Sequence, residues 1–264
     1  MALDFAGSAT DRVDHGSGVT LDDLNPFTFI EWVYPQAAVN ARVIGFTKDS
    51  GSQKTLAYSG TGGHVNAFVP RATTDSNYIT NSGGLTINAW NLLAWVFNTG
   101  AGAGEVTNIY IGSLTTPAAE AGYGTAIDGE GAVTSDAAVS FILGNRAAAS
   151  RSGDAIFAVA TYCNAALTLA QIQSWQFRPR KLASSVLFCH YGFNGTGTQP
   201  DLSGNGNNGT VTGAVVADHV PLGPPFGFAE EWQGAFGVAA APSEEFSTRH
   251  YPRGAMRGVM RGAA

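Results

Sequence analysis

Residues 143–175 read LGNRAAASRSGDAIFAVATYCNAALTLAQIQSW, and this stretch decides the fold class. Its pattern predicts a turn, a glycine-marked loop, an apolar strand over 155–162 and a short helix that begins after Thr168. Thr168 has the chemistry of a helix N-cap. Three apolar side chains at helical spacing would bury one face of that helix: Leu169, Ile172 and Trp175. No residue type or spacing within the stretch indicates catalysis.

The composition favours strands joined by tight turns. Only 13% of the 264 residues are charged, which is about half of the usual share, and 34 residues are glycine. Outside the opening stretch, apolar runs bounded by Gly, Asn, Ser or Pro predict further strands. These predicted strands cover 27–34, 39–47, 54–59, 64–69, 90–97 and 106–112. The run WNLLAWVF (90–97) is apolar at nearly every position, which is typical of a strand covered on both faces.

The net charge is −6, and its distribution is uneven. The last 16 residues contain four arginines and no carboxylate, so an acidic body is followed by a basic tail. This arrangement predicts a tail that docks on an acidic surface of its own chain or of a neighbour. The body has no basic stripe, which argues against nucleic acid as a partner.

The two cysteines, Cys163 and Cys189, define neither a disulfide framework nor a metal site. We interpret them as two small buried apolar residues, with a single bridge as the open alternative. The chain begins MALDF, without a basic and apolar leader, and contains no apolar run of membrane-spanning length. With Met1 as the native start, we expect synthesis in a cytosol without general secretion and no membrane partner.

Four segments resemble, in their order along the chain, the laminin-G-like (concanavalin A-like lectin/glucanase) jelly rolls. They are ALDFAGSATDRV (2–13), NPFTFIEWVYP (25–35), WNLLAWVF followed by IYIG (90–112), and ILGNR…GDAIFAVATYCNAALTLAQIQ (142–173). The resemblance covers about residues 2–176 and implies an all-β fold, a two-sheet antiparallel jelly-roll sandwich with one short helix. We assign this domain to residues 1–178.

Residues 184–214, SSVLFCHYGFNGTGTQPDLSGNGNNGTVTGA, resemble a segment that precedes the jelly roll in many members of this superfamily. Here it follows, which implies a permuted arrangement. We assign 179–228 to an appended strand and turn segment that completes the sandwich, with a small separate lobe as the alternative. Oxygen ligands in its turn make a candidate calcium site: Asp201, Asn205 and Asn207. The same residues suit a sharp turn, and we favour that interpretation.

Residues 229–264 form a third segment, which we expect to be an extended C-terminal arm. It ends in RHYP-RGAM-RGVM-RGAA, a repeat of period four. A helix is disfavoured because each of its glycines would cost about 1 kcal/mol. The residues that we expect to bind a partner are Trp232, Arg249, Tyr251, Arg253, Met256, Arg257, Met260 and Arg261.

Catalytic motifs are missing from the sequence. Glucanases of this fold carry Glu-x-Asp-x-Glu on one strand, and no such triplet occurs here. Neither a Gly-x-Ser-x-Gly elbow nor His-Glu-x-x-His nor a P-loop is present. We therefore predict a protein that is not an enzyme and needs no cofactor beyond the candidate calcium. Aromatic candidates for sugar binding are few, since Trp32, Trp90 and Trp95 lie in strand patterns typical of a core.

Two functional hypotheses follow. VADHVPLGPPFGF (216–228) resembles endings of tailed-bacteriophage virion proteins that carry laminin-G-like domains. Together with the missing export leader and the acidic body followed by a basic tail, this resemblance makes a virion structural protein the leading hypothesis, a capsid decoration or cement protein assembled in the host bacterial cytoplasm. Its partners would be capsid or other virion proteins, with a homo-oligomer expected. The alternative is a lectin-like, carbohydrate-binding adhesion module on a phage tail or fibre, which would bind host-surface carbohydrate through loops at one end of the sandwich.

Overall fold

The structure is a computed structural model, and it describes residues 1–37, 42–48, 54–59, 62–100, 105–179, 186–190, 193, 195 and 197–222. Its first nine strands are β1 (Ala2–Phe5), β2 (Arg12–Asp14), β3 (Phe27–Pro35), β4 (Val43–Lys48), β5 (Thr55–Ser59), β6 (His64–Val69), β7 (Ser76–Thr80), β8 (Asn91–Asn98) and β9 (Val106–Ser113). The remaining elements are a 3-10 helix (Val19–Leu21), β10 (Ala119–Glu120), β11 (Tyr123–Ile127), β12 (Phe141–Leu143), β13 (Ala155–Cys163), α1 (Leu169–Gln176), β14 (Val186–His190), β15 (Gly197–Gln199), β16 (Gly209–Thr212) and β17 (Val215–Ala217).

The strands form two antiparallel sheets that pack face to face. Sheet A has the order β10-β9-β8-β3-β13-β1-β17, and β14 pairs with the second half of β13. Sheet B has the order β11-β7-β6-β5-β4-β12-β2-β16-β15. The predicted all-β, two-sheet antiparallel sandwich with one short helix is therefore confirmed. The predicted C-terminal arm, 229–264, lies outside the described residues.

Strands from the last described part of the chain join both sheets. In sheet A, β14 pairs with β13 and β17 pairs with β1. In sheet B, β16 pairs with β2, placing Val211 opposite Val13, and β15 follows on its other side. Because β1 and β2 come from the N-terminus, the two ends of the described chain lie side by side in the sandwich.

Aromatic side chains fill the space between the sheets. Phe27 and Phe29 of β3 lie opposite Phe97 and Trp95 of β8, and all four are fully buried. From sheet B, Phe46 approaches this row, with its ring centroid 5.0 Å from that of Phe29. Edge and offset contacts of this kind stabilise a core beyond the area that they bury. The alternation along β3 thus decides which face of sheet A meets sheet B.

The other face of β3 is covered by α1 and the segment before it. Trp32 Nε1 donates to the Gln176 carbonyl oxygen at 3.0 Å, and Thr28 Oγ1 donates to Ala165 O at 2.6 Å. Thr168 caps the helix as predicted, in a reciprocal arrangement with Gln171. Ile172 and Trp175 are fully buried, Leu169 is only half-buried, and Gln176 is buried although it is polar.

Gln176 is buried because its amide is fully employed. Its Oε1 accepts from Ala118 N at 2.7 Å, and its Nε2 donates to the carbonyl oxygens of Ser113 and Thr116 at 2.7 and 2.8 Å. These bonds attach the end of α1 to the turn between β9 and β10. The sequence pattern gave no sign of this contact, because a glutamine at a helix end is ordinarily solvated.

Two tryptophan predictions are confirmed and one is wrong. Trp32 and Trp95 are fully buried, as expected from their strand patterns. Trp90 is only half-buried, because it precedes β8 instead of lying within it, and its ring packs against Tyr34. Cys163 is buried at the end of β13; Cys189 lies opposite Thr161 in β14, and its side chain is outside the described ones.

Glu31 is an acidic residue inside the sandwich. It follows Phe27 and Phe29 on the core face of β3, lies between Leu93 and Ala160 of the neighbouring strands, and is fully buried. Neither of its carboxyl oxygens has a hydrogen-bond partner among the described residues. Burial raises the pKa of Glu31 well above its ordinary value of 4.5.

We expect Glu31 to make stability depend on pH. The folded protein keeps this carboxyl protonated while the unfolded chain releases the proton above about pH 4.5. The contribution of Glu31 to the free energy of unfolding should therefore fall by about 1.4 kcal/mol per pH unit above that point, until the pKa of the folded state is reached. Urea unfolding of the wild type and of Glu31→Gln between pH 4 and 8 measures it, because glutamine does not titrate.

The comparison between the two proteins isolates Glu31 from other groups. Burial lowers the pKa of His15 to about 4, which gives a slope of opposite sign, but His15 is present in both proteins. Glu130→Gln, a change at an exposed carboxylate, serves as the matched control. Parallel pH profiles for the wild type and Glu31→Gln would contradict the prediction.

Candidate functional site

A polar cleft lies at one end of the sandwich, where four connections meet. They are the loop before β3, the residues after β8, the connection from β6 to β7, and the segment after β11. The cleft has a volume of about 390 Å³, within the range of small-molecule sites. Its lining residues are Asp23, Asn25, Arg71, Thr99, Gly131, Ala132, Val133 and Ser135. Five of the eight have polar side chains, and five of the eight are exposed.

One wall of the cleft is held by an amide–hydroxyl pair. The Asn25 side chain donates to Thr99 Oγ1, and the Thr99 backbone N–H donates back to Asn25 Oδ1 at 3.0 Å. Asn25 lies two residues before the start of β3, and Thr99 immediately follows β8. Because these strands are paired, with Phe27 opposite Phe97, the two residues come together where the strands end. The wall is therefore positioned by the sheet itself.

The opposite wall is organised by Arg71. Its Nε and Nη2 donate to the Gly131 carbonyl oxygen at 2.9 and 2.6 Å, and its Nη1 donates to Glu105 Oε2 at 2.8 Å. The Glu105 carboxylate is buried and also accepts from Ser76 Oγ and from Thr107 Oγ1 at 2.7 Å. An arginine has five N–H groups, so two of those on Arg71 remain available to a ligand.

A buried ion network lies behind the cleft. Lys54 Nζ is 2.8 Å from Asp136 Oδ2, and Lys48 Nζ lies 2.8 Å from Asp22 Oδ1 and 3.7 Å from Asp136 Oδ1. The side chains of Lys48, Lys54 and Asp136 are at most 1% exposed. Burial lowers the pKa of Lys54, although Asp136 opposes the effect. Charges this deep are tolerated only because each has an opposite partner.

Asp136 connects this ion network to Asp23 at the cleft. The backbone N–H of each residue donates to the carboxylate of the other, at 2.6 and 2.8 Å. Ser135 Oγ donates to the second Asp23 oxygen at 3.0 Å. Desolvation acts to raise the pKa of Asp23, but these hydrogen bonds and the two lysines outweigh it and lower the pKa. Asp23 is thus a fixed carboxylate at the cleft.

Removing the Asp136 carboxylate should destabilise the protein strongly. In Asp136→Ala, two buried lysines lose their shared partner, and we expect the free energy of unfolding to fall by about 3–5 kcal/mol. Urea denaturation at neutral pH measures the loss. Asp218→Asn, a change at an exposed carboxylate, is the control and should cost less than about 0.5 kcal/mol. A similar loss in both variants would show that the network does not stabilise the fold.

The candidate calcium residues lie in the turn between β15 and β16. Asp201 Oδ1 accepts from Ser203 N at 2.8 Å, and its Oδ2 accepts from Ser203 Oγ at 2.7 Å and Asn207 N at 3.0 Å. The Asp201 carboxylate therefore accepts hydrogen bonds from within the turn, as a side chain that stabilises a sharp turn does. Asn207 O also accepts from His15 Nδ1 at 3.0 Å, which ties the turn to β2. Among the described residues, no three His, Cys, Asp or Glu side chains cluster as metal ligands.

Asp201→Ala should lower the free energy of unfolding by about 1–3 kcal/mol in the presence of EDTA, because three hydrogen bonds to the carboxylate are lost. Thermal unfolding with EDTA or millimolar calcium, again with Asp218→Asn as the control, distinguishes the two interpretations of this turn. Calcium that raises the Tm of the wild type, but not of Asp201→Ala, would favour the metal site over the turn.

The residues of the predicted partner-binding arm all lie outside the described residues. They are Trp232, Arg249, Tyr251, Arg253, Met256, Arg257, Met260 and Arg261. Their role stays a prediction. None of the helices in the described ranges is long and apolar enough to cross a membrane.

No sequence pattern singles out the cleft residues. Asp23, Asn25, Arg71 and Ser135 come from three separate connections, and no motif unites them. One signal was present: Lys48 directly follows the predicted strand 39–47 and Lys54 begins the predicted strand 54–59, in a chain with few charges. A lysine beside buried strand positions indicates a nearby acidic partner, but the pattern does not say which one.

No family model matches the chain, and no curated protein matches it. Among solved structures, it is similar to a protein from Bacteroides ovatus ATCC 8483 described as a "putative carbohydrate binding protein", with a TM-score of 0.57 and 15% sequence identity. The match covers 83% of this chain and 59% of that one, so the chain spans about three fifths of its length. At this identity the likeness shows the fold alone, an all-β sandwich of the jelly-roll type.

Proposed function

We propose that this protein binds carbohydrate and does so in the polar cleft at the loop end of the sandwich. The observation that carries the proposal is the set of donors and acceptors fixed around the cleft. Saccharide hydroxyl groups both donate and accept hydrogen bonds, and the cleft offers both roles. Asp23 supplies a carboxylate acceptor, Arg71 supplies N–H donors, and Asn25 and Ser135 can supply either.

The rigidity of the cleft supports binding of a small polar ligand. Asn25 is held by Thr99, Arg71 by Glu105 and Gly131, and Asp23 by Asp136. A ligand that meets groups already in place does not have to order them, so less of its interaction energy is lost on binding. The volume of about 390 Å³ suits one or two sugar rings better than a protein segment.

We infer binding without chemistry. A glycoside hydrolase needs one carboxyl group that holds a proton and a second one that faces it across the scissile bond. Asp23 has a lowered pKa, and the buried Glu105 is engaged by Arg71, Ser76 and Thr107. Asp23 therefore lacks the environment of a general acid, and the hydrogen-bonding capacity of Glu105 is taken up by groups of the protein itself. This interpretation agrees with the missing Glu-x-Asp-x-Glu triplet.

The fold likeness supports the same class of function. The B. ovatus structure with the carbohydrate-binding description shares the sandwich, although fold alone does not establish a ligand. The virion hypothesis depends on residues 229–264, which lie outside the described residues, and on the resemblance of residues 216–228 to the endings of virion proteins. The virion role and the location of the protein stay predictions. An adhesin that binds host glycans would be compatible with the virion hypothesis and with carbohydrate binding.

Binding should be measurable by isothermal titration calorimetry with neutral hexaoses: cellohexaose, xylohexaose, mannohexaose, laminarihexaose and maltohexaose, each at millimolar concentration. For a hexaose that binds in the cleft, Asn25→Ala should weaken binding about 2- to 10-fold, because one or two hydrogen bonds are lost. Arg71→Lys should weaken it more, because a lysine cannot reproduce the fork of N–H groups.

Asn81→Ala is the matched control for Asn25→Ala. Asn81 is an exposed amide just past the end of β7, whereas the start of β7 lies near the cleft through the bond from Ser76 to Glu105. It should bind like the wild type. If a hexaose bound equally well to Asn25→Ala, Arg71→Lys and the wild type, the cleft would not be the site. If none of the five bound, the proposed function would fail for neutral saccharides.

A further inference from the structure

A second candidate site lies at the other end of sheet A. We call Tyr34, Asn88 and Trp90 the aromatic patch. The rings of Tyr34 and Trp90 meet edge to face, with centroids 5.5 Å apart and planes at 66°. Both residues are half-buried, whereas Trp32, Trp95 and Trp175 are fully buried. Among the described tryptophans, Trp90 is therefore the one that solvent and ligands can reach.

The polar groups of the patch have no partner among the described residues. No hydrogen bond engages the Trp90 indole N–H, the Tyr34 hydroxyl or the Asn88 side-chain amide. By contrast, Trp32 on the same face of β3 donates its indole N–H to the Gln176 carbonyl oxygen. An aromatic ring with an unpaired polar end is suited to a ligand that is apolar on one side and hydroxylated on the other.

The backbone holds the patch in place. The Asn91 side chain accepts from Thr86 N at 3.0 Å and donates to the carbonyl oxygens of Thr86 and Ala89 at 2.9 and 2.7 Å, closing the turn that carries Trp90. Asn88 has a φ of 55°, and its backbone N–H donates to Pro35 O at 2.8 Å. This bond fastens the turn next to Tyr34. The patch is thus preformed, as the cleft is.

The topology separates the patch from the cleft. Trp90 precedes β8 and Thr99 follows it, so the two features are on the order of 30 Å apart along this strand. On the outer face of β3, the segment around α1 covers Thr28 and Trp32. Tyr34 is the next outward-facing residue, and it is left partly open beyond the covered part.

We propose that the aromatic patch is a second carbohydrate-binding site, which takes the apolar face of a pyranose ring. The C–H groups of the ring would lie on the exposed side of Trp90 and Tyr34. Its hydroxyl groups would meet the indole N–H, the phenol and the Asn88 amide. The ligand class rests on the proposed function, whereas the location rests on the patch alone.

The size of the patch favours a sugar ring over a second copy of the chain. Two aromatic side chains bury at most about 500 Å², while a stable protein interface needs about 800 Å² on each partner. A single ring over two half-buried aromatics needs far less. With sites at opposite ends, one molecule can bind two chains of a polysaccharide, which raises its apparent affinity for a dense glycan surface.

Tryptophan fluorescence tests the patch directly, because Trp90 is the reachable tryptophan among the described ones. A Trp232→Phe background removes the signal of the tryptophan outside the described residues. In this background, the hexaoses named above should protect Trp90 from quenching by acrylamide. Trp90→Ala should weaken binding at this site about tenfold, as expected for an aromatic anchor. Calorimetry should give two sites in the wild type and, in Trp90→Ala, one unchanged site and one about tenfold weaker site.

Further variants keep the test decisive if Trp90→Ala folds poorly. Trp90→Phe keeps a ring and removes the N–H, Tyr34→Phe removes only the hydroxyl, and Asn88→Gly keeps the left-handed backbone while removing the amide. Each should weaken the patch site about 2- to 10-fold and leave the cleft site unchanged. Circular dichroism verifies the fold of every variant.

The outcomes separate this proposal from the previous one. Binding that is weakened in Asn25→Ala and Arg71→Lys but unchanged in Trp90→Ala overturns the patch and leaves the cleft. Binding lost only in the patch variants supports the patch and removes the cleft as the site. A wild type that is a dimer by light scattering and becomes a monomer in Trp90→Ala, without saccharide, overturns the proposal in favour of self-association. If no hexaose binds at all, both proposals fail for neutral saccharides.

Discussion

The packing of β3 on both of its faces is the constraint on which the rest of the structure depends. Toward sheet B it presents Phe27, Phe29 and Val33, all of them buried. Toward the outside it presents Thr28 and Trp32, which would be exposed without α1. A strand in the middle of a sandwich is stable only with both faces covered. The helix is therefore required by β3, and the Trp32 to Gln176 hydrogen bond joins the two.

The same strand determines where ligands can reach the protein. At its first end, the residues before β3 and after β8 converge and form one wall of the cleft. At its last end, Tyr34 extends beyond the cover of α1 and meets Trp90. The position of each candidate site thus depends on where β8 ends and on how much of β3 is covered by α1. Their separation follows from the length of the paired strands β3 and β8.

The polar groups inside the molecule are of two kinds. Lys48, Lys54 and Asp136 are buried and paired, so their charges hold the loops behind the cleft in one arrangement. Glu31 is buried without a partner among the described residues, so it lowers stability unless it is protonated. The paired charges hold the cleft in place. Glu31 makes the stability of the fold depend on pH, and we assign no function to this dependence.

The sequence by itself determined the class of fold. Alternating aromatic and polar positions in β3, the apolar run of β8, and Thr168 with its helix-spaced partners all act over a few residues. Local patterns of this kind can be recognised from the chain alone. The resemblance to laminin-G-like jelly rolls gave the same architecture, and the structure confirmed it. The roles of the tail's arginines and of the candidate calcium residues were inferred from the sequence and stay predictions.

Only the tertiary structure decided the sites. Asp23, Arg71 and Ser135 are separated by dozens of residues and meet because strands from both sheets end at the same place. Trp90 looked like a core residue, since the pattern could not show that β8 begins one position later. Exposure and proximity depend on which strands pair and on what covers each face. They arise from long-range packing, which a local sequence pattern does not encode.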